Sequence, residues 1–367
     1  MSMESTSADE DLGFAKLLSN LLRIFFWDAL RISIKNPARA AFFFRTVRRQ
    51  RRAARIRSKW KQQGFHIPPI VLFSVTNRCN LHCKGCYSWA LHKTKGEELS
   101  TEELDRVFAE ARELGILFFV LAGGEPFVRP DILDITSRYP EIIFLIFTNG
   151  LLINAEVLAK LKKQKNIIPV ISMEGYQDDT DGRRGEGVYQ HLQETIDKLK
   201  AKGIFYSVSI TLTRSNFPSV TGEQFVKSLV GLGCKLLFLV EYSPVQEGTE
   251  DWVISEQQRS ELVVLVKSFR SNYKSLFISI PGDEEEIGGC LSAGRGFVHI
   301  SASGDVEPCP FAPYSDSNLR DSSLKEALQS RFLRTIRENR DQLTEAEGGC
   351  ALWVKRDWVR SVLHDPK

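Results

Sequence analysis

From residue 70 onward, short and nearly uniform apolar runs alternate with longer amphipathic stretches, the pattern of repeated β/α units. The apolar runs predict strands over Ile70–Val75, Leu117–Ala122, Ile142–Thr148, Ile167–Met173, Phe205–Leu212 and Lys235–Glu241. The stretches between them predict helices over Thr101–Leu114, Asp131–Arg138, Ala155–Lys163, Val188–Lys202, Glu223–Leu232 and Ser255–Ser271. Strands this apolar are covered on both faces. Six such units form a partial barrel or an open doubly wound sheet, and periodicity does not choose between them. In either, functional groups collect at the C-terminal ends of the strands.

The flanks read differently. Residues 1–10 are polar and acidic and are expected to be disordered. From Phe14 to about Lys35, Leu17, Leu18, Leu21, Leu22, Phe25, Phe26, Leu30 and Ile34 recur at helical spacing, until Pro37 breaks the pattern. A second helix is expected from Ala38 through Phe42-Phe43-Phe44 into an arginine-rich run. Beyond Leu276, Gly, Pro and Cys become frequent. Phe297–Ile300 and Val306 then suggest a hairpin turning at Gly304, with a helical stretch over 323–338 after it. The chain thus divides into a basic helical extension (1–65), a β/α core (66–275) and a smaller module (276–367).

Charge adds one local feature. Arg45, Arg48, Arg49, Arg51, Arg52, Arg55, Arg57, Lys59 and Lys61 are nine positive charges with no acid among them; removing nine from the formal +3 leaves about −6 elsewhere. No apolar run is long enough to span a membrane. Aromatic and leucine residues followed by a dense arginine block suggest that 14–61 lies on an anionic bilayer. The structural alternative is a helical pair packed on the core with solvated arginines. Nucleic acid ranks last, because the aromatics precede the basic run and do not interleave with it. An odd count of seven cysteines and no secretory signal argue against a disulfide framework and for a reducing cytoplasm. The expected location is therefore cytoplasmic, at the inner face of the membrane.

Three of those cysteines, Cys79, Cys83 and Cys86, lie on one loop directly after the first strand. Three thiolates on a short loop can hold three irons of a [4Fe–4S] cluster and leave the fourth open. A zinc site would need a fourth ligand, and His82 and His92 fit that spacing poorly. The second strand ends in Gly123-Gly124-Glu125-Pro126, where paired glycines allow close backbone approach to a ligand and the acid can bind an amino group. Ser172-Met173-Glu174-Gly175 closes the fourth strand, and Asp181-Gly182-Arg183-Arg184-Gly185 follows.

The C-x3-C-x2-C loop followed one unit later by Gly-Gly-Glu-Pro resembles the radical S-adenosylmethionine (SAM) superfamily. The resemblance implies a partial (β/α)6 TIM-type barrel, with Cys79, Cys83 and Cys86 as ligands of the SAM-binding [4Fe–4S] cluster. It implies reductive cleavage of SAM to a 5′-deoxyadenosyl radical, fed by a low-potential flavodoxin- or ferredoxin-type donor. Gly123, Gly124, Glu125 and Pro126 would form the motif that holds the SAM ammonium. Ser172 and Glu174 match the ribose-binding segment, with Glu in place of the more common Asp. Arg184 would pair with the SAM carboxylate; Thr211, Thr213 and Asn216 are further candidate contacts. Gly85 departs from the family's usual aromatic residue before the last cysteine, and Tyr87 is the expected replacement at the adenine.

Cys290, separated from Gly304 by thirteen residues, and Cys309, separated from it by four, resemble the opening of a SPASM or twitch extension. With Cys350 they imply at most one auxiliary iron–sulfur cluster in a shortened extension. Cys234, at the opposite end of a strand, reads as structural. The SPASM resemblance favours a peptide or protein substrate, and the basic N-terminal segment favours a lipid or membrane-associated metabolite. An alternative of another class is a non-catalytic iron–sulfur or zinc-binding interaction module. No residue is singled out as a general acid or base.

Overall fold

The computed structural model describes residues 37–92, 96–282, 289–343 and 350–364. The helix expected over Phe14–Lys35 lies outside them. The first described element is α1 (Pro37–Gln62), which begins at the proline, as the preset φ of that residue allows.

The expected units follow: β1 (Ile70–Thr76), α2 (Tyr87–His92), α3 (Thr101–Leu114), β2 (Phe118–Gly123), α4 (Ile132–Thr136), β3 (Ile143–Thr148), α5 (Ala155–Lys163), β4 (Ile167–Met173), α6 (Gln177–Arg184), α7 (Val188–Ala201), β5 (Ser207–Leu212), α8 (Phe217–Val220), α9 (Glu223–Leu232), β6 (Leu236–Glu241) and α10 (Glu256–Asn272). Ser100 and Glu103 form a reciprocal capping box that starts α3 where its pattern begins. A strand not expected from the sequence, β7 (Leu276–Ile280), pairs with β6.

The strands run in the order β7-β6-β5-β4-β3-β2-β1, and each neighbouring pair is parallel. Strictly sequential order leaves no topological switch point, which a doubly wound sheet requires. Packing agrees. Phe108 of α3, Leu192 of α7, Leu229 of α9 and Val266 of α10 join one cluster with Phe73, Phe119 and Leu121. The strand residues of opposite parity, including Phe118, Ile143, Leu145, Ile168, Val170, Leu236 and Phe238, form a second cluster that, among the described residues, takes only Phe42 and Val47 from a helix, α1. The connecting helices therefore cover one face, and the other face closes on itself as in a partial barrel.

Phe42 and Val47 meet residues at the starts of the strands, so α1 stoppers the barrel at the end away from the cysteine loop. Gln50 Nε2 donates to the Leu117 carbonyl (3.1 Å), and the buried Arg57 donates to that of Gly115. Burial lowers the Arg57 guanidinium to about 10.

The C-terminal segment adds to the same sheet. Strand β8 (Phe297–Ile300) runs parallel to β1, with Ile70 opposite Phe297, and β9 (Val306–Glu307) folds back on β8 as the expected hairpin. Short helices α11 (Leu324–Ala327), α12 (Arg331–Glu338), α13 (Ala351–Val354) and α14 (Arg356–His364) pack behind it.

Candidate active site

The loop after β1 carries Cys79, Cys83 and Cys86, and its backbone is held from several sides. Glu98 accepts from Thr76 Oγ1 (2.9 Å) and the Asn77 N–H (2.8 Å). The Lys84 N–H donates to the Arg183 carbonyl (3.0 Å), and the Gly85 N–H donates to Gln246 Oε1 (3.0 Å). The three thiols lie within electrostatic reach of one another. Burial pushes Cys79 and Cys83 up, while Arg184 and Arg183 act in the opposite sense on Cys83. The Leu81 N–H already points at Cys79 Sγ (3.4 Å). A convergent set of three sulfurs beside two guanidinium groups fits a cluster with one open iron. The histidines that zinc would need are elsewhere: His82 is exposed against Trp89, and His92 is hydrogen-bonded to the Pro310 carbonyl (2.9 Å).

The glycine pair at the end of β2 approaches the chain's own backbone. A Cβ on Gly123 would lie 2.2 Å from the Thr76 carbonyl oxygen, and one on Gly124 would lie 2.1 Å from that of Arg78. The Gly124 and Glu125 N–H groups donate to those same two carbonyls (2.7 and 2.9 Å). The glycines thus let β2 brace the base of the cysteine loop. Pro126 opens a short 3-10 turn that buries the Glu125 side chain, which is 1% exposed. That carboxylate accepts from Thr148 Oγ1 (2.8 Å), the Asn149 N–H (2.7 Å) and the Phe127 N–H (3.1 Å). Burial nevertheless pushes its carboxyl up to about 7. Asn149 also reaches Asn80 Oδ1 (2.8 Å) and Cys79 Sγ (3.8 Å). Thr148 and Asn149 did not figure among the expected site residues; the polar Thr-Asn-Gly closing an apolar strand was the available signal.

At the end of β4, Glu174 is buried and its Oε1 gathers both arginines of α6: Arg183 Nη1 at 2.6 Å, Arg184 Nε at 2.8 Å and Arg184 Nη2 at 2.6 Å. Its other oxygen, Oε2, is buried without a hydrogen-bond partner among the described residues. A carboxylate with one oxygen clamped and the other open can accept hydroxyl hydrogen bonds. Arg184 is therefore committed to Glu174, and it lies within electrostatic reach of Cys83 and Cys86. Ser172 lies two residues upstream, half-buried. Asn216 has a different task from the expected one: its Nδ2 donates to the Glu174 and Thr211 carbonyls (2.7 and 2.9 Å), tying β4 to β5.

Tyr87 is turned away from the place expected of it. As the first residue of α2, it packs on Phe311 (5.3 Å between ring centroids) and His92 (6.3 Å), facing the C-terminal segment. Its phenol is pushed up by burial, with smaller contributions from Cys86 on one side and Cys309 on the other. Tyr87 therefore bridges the two cysteine groups.

Cys309 is buried, hydrogen-bonded with Cys350 and within electrostatic reach of Cys290, so these three also converge. Cys234 is buried apart from both groups, with its thiol donating to the Leu236 carbonyl (3.2 Å). His299 of β8 is buried. Nδ1 is hydrogen-bonded to Glu307 Oε2 (2.7 Å) and Nε2 to Ser74 Oγ (2.8 Å), which locks the hairpin to β1.

Comparison with known proteins gives the family. The sequence profile of the radical SAM superfamily matches residues 73–229, and that of an iron–sulfur cluster-binding domain, SPASM, matches residues 290–351. The chain is 26% identical over 312 residues to the AdoMet-dependent heme synthase of Methanosarcina barkeri, covering 78% of this chain and 88% of that protein. It is 27% identical over 311 residues to the mycofactocin maturase MftC of Mycolicibacterium smegmatis, covering 79% and 76%. Streptococcus suis SuiB, solved with S-adenosylmethionine bound, shares the fold at a TM-score of 0.63 and 18% identity, over 85% of this chain and 76% of that one. A radical SAM domain works with a [4Fe–4S] cluster and SAM, and a SPASM domain adds auxiliary iron–sulfur binding. The chain is thus an enzyme of the radical SAM superfamily with a SPASM-type extension at its C-terminal end.

Proposed function

We propose that this enzyme activates a C–H bond of a peptide or protein substrate, with Cys79, Cys83 and Cys86 holding the SAM-binding cluster. Cys290, Cys309 and Cys350 are assigned to a single auxiliary cluster. Bound and reduced by a flavodoxin- or ferredoxin-type donor, the first cluster and SAM supply the 5′-deoxyadenosyl radical of the superfamily. The chain's residues do the positioning. Glu125, with three of its acceptor sites filled, has one left for the SAM amino group. Glu174 offers Oε2 to the ribose, while Arg183 and Arg184 hold the carboxylate in place and set positive charge beside Cys83.

The observation that carries the peptide reading is the likeness to mycofactocin maturase, which covers 79% of this chain. The solved complex of SuiB with its precursor peptide has the same fold, at a TM-score of 0.63. The likeness to heme synthase, and to the Fe-coproporphyrin III synthase of Methanosarcina barkeri (30% over 151 residues), favours a second reading, a metabolite of the tetrapyrrole class. The test offers the reduced, SAM-loaded enzyme either Fe-coproporphyrin III or short peptides encoded beside its gene. Stimulated 5′-deoxyadenosine release with a peptide is expected; stimulation by the porphyrin alone, with a changed Soret band, would overturn the peptide assignment.

The Glu125 role makes a pH prediction. An amino group is accepted by the ionised carboxylate, and ionisation is lost as pH falls through about 7. SAM affinity, measured by equilibrium dialysis, should be level above that value and weaken about tenfold per unit below it. Equal affinity at pH 6 and pH 8 would exclude the pairing.

Peripheral membrane contact also belongs to the proposal. Among the described residues no helix is long and apolar enough to cross a membrane. On α1, however, Arg45, Arg48, Arg52, Arg55 and Lys59 recur every three or four residues, all exposed and without ion pairs among the described residues, next to Phe44 at 51% exposure. Each charge near an anionic surface contributes about 1 kcal/mol. Replacing the five with Gln should abolish cosedimentation with phosphatidylglycerol-containing vesicles. Substitution is the right test, because deleting residues 1–65 would strip Phe42 and Val47 from the inner core.

A further inference from the structure

Gly85 is where the cysteine loop departs from its family, and the structure shows what fills the space. Gly85 is buried at φ +65°, and a Cβ there would lie 2.6 Å from Tyr242 Oη and 2.9 Å from Trp252 Cζ3. These two rings, 5.3 Å apart, come from the segment that follows β6. That segment is built to stay against the loop. Gln246 takes the Gly85 N–H, Thr249 accepts from Tyr242 Oη (2.9 Å), and the Trp252 carbonyl accepts from the Arg214 N–H (2.8 Å). Over the Tyr242 ring, 5.9 Å from its centroid, stands the guanidinium of Arg183, which itself holds Glu174. Tyr242 is thus buried between the cysteine loop and the carboxylate assigned to the ribose. Trp252 beside it is half-buried and bonded only through its backbone among the described residues.

We propose that Trp252, backed by Tyr242, is the surface on which the adenine of SAM stacks, replacing from a distant segment the aromatic residue that the loop lacks at Gly85. The inference rests on the SAM-cleaving role of the cysteine loop. A purine gains from a flat indole face as bases do from aromatic platforms, without base-specific hydrogen bonds. Tyr87, engaged with Phe311 and His92, is not in competition for that role.

The test is binding to the anaerobically reconstituted protein, read by equilibrium dialysis alongside iron content. Trp252→Leu should bind both SAM and 5′-deoxyadenosine about 5- to 150-fold more weakly, the range that loss of one base–aromatic stack produces, at wild-type iron content. Trp252→Phe, which keeps a ring, should stay within about threefold. Unchanged affinity in Trp252→Leu overturns the proposal. A second measurement needs no variant: photolysis of the wild-type holoprotein with 8-azido-SAM should label the peptide containing Tyr242 and Trp252. Labelling confined to other peptides overturns it equally. A wild-type protein that binds no SAM at all would instead bring down the role of the cysteine loop.

Discussion

A variant with Cys79, Cys83 and Cys86 all replaced by alanine should release no 5′-deoxyadenosine, yet retain about four of the about eight irons of a two-cluster wild type. The reciprocal variant, with alanine at Cys290, Cys309 and Cys350, should also keep about four irons but still cleave SAM. The asymmetry follows from the neighbours of each group. Glu125, Glu174, Arg183 and Arg184 interact electrostatically with the first three cysteines. Cys309 is enclosed with Cys350 and Cys290, with Tyr87 intervening. Iron and sulfide counts with a SAM cleavage assay decide the matter. If the wild type holds about four irons and the first variant none, there is no auxiliary cluster.

Gly124→Ala should be strongly damaging to both stability and the first cysteine site. The new Cβ would stand 2.1 Å from the Arg78 oxygen, 2.5 Å from its carbonyl carbon and 2.9 Å from that of Asn77. All three are backbone atoms, so no side chain can swing away. Relief requires the strand end and the cysteine loop to separate, breaking the hydrogen bonds to Thr76 and Arg78 and displacing Cys79. A cost of about 3 kcal/mol or more is expected, the upper range for overpacking, together with loss of iron from the first site. Gly182→Ala is the control, because a Cβ there meets nothing within 4 Å. It should stay within about 0.5 kcal/mol. Thermal unfolding and iron content of the two variants make the comparison.

Much of this architecture could be read from the chain because it depends on local pattern. Uniform apolar runs gave β1 to β6 to within a residue or two, and the capping box at Ser100 and Glu103 set the start of α3. β7 escaped notice because five residues before Pro281-Gly282 looked like the beginning of a loop-rich segment. The choice of a barrel needed strand order, which periodicity does not contain. The site was legible in the same measure. The cysteines and Glu125 declare themselves by spacing. The support that Thr148 and Asn149 give Glu125 depends on the register of β2 against β3. The direction of Tyr87 depends on Phe311, more than 200 residues away, and the filling of the space at Gly85 on Tyr242 and Trp252.

The pairing of β8 with β1 bears on how the protein is made. A ribosome delivers chain from the N-terminal end, so β1 can pair with β2 soon after it emerges, but its outer edge waits for Phe297–Ile300. For most of synthesis that edge is an open row of backbone donors and acceptors, at the strand that leads into the cysteine loop. Ser74 waits equally long for His299. Closing the outer edge of β1 and docking the second cysteine group are then one late event, although the partners of the cysteine loop itself, Glu98, Arg183 and Gln246, are made earlier.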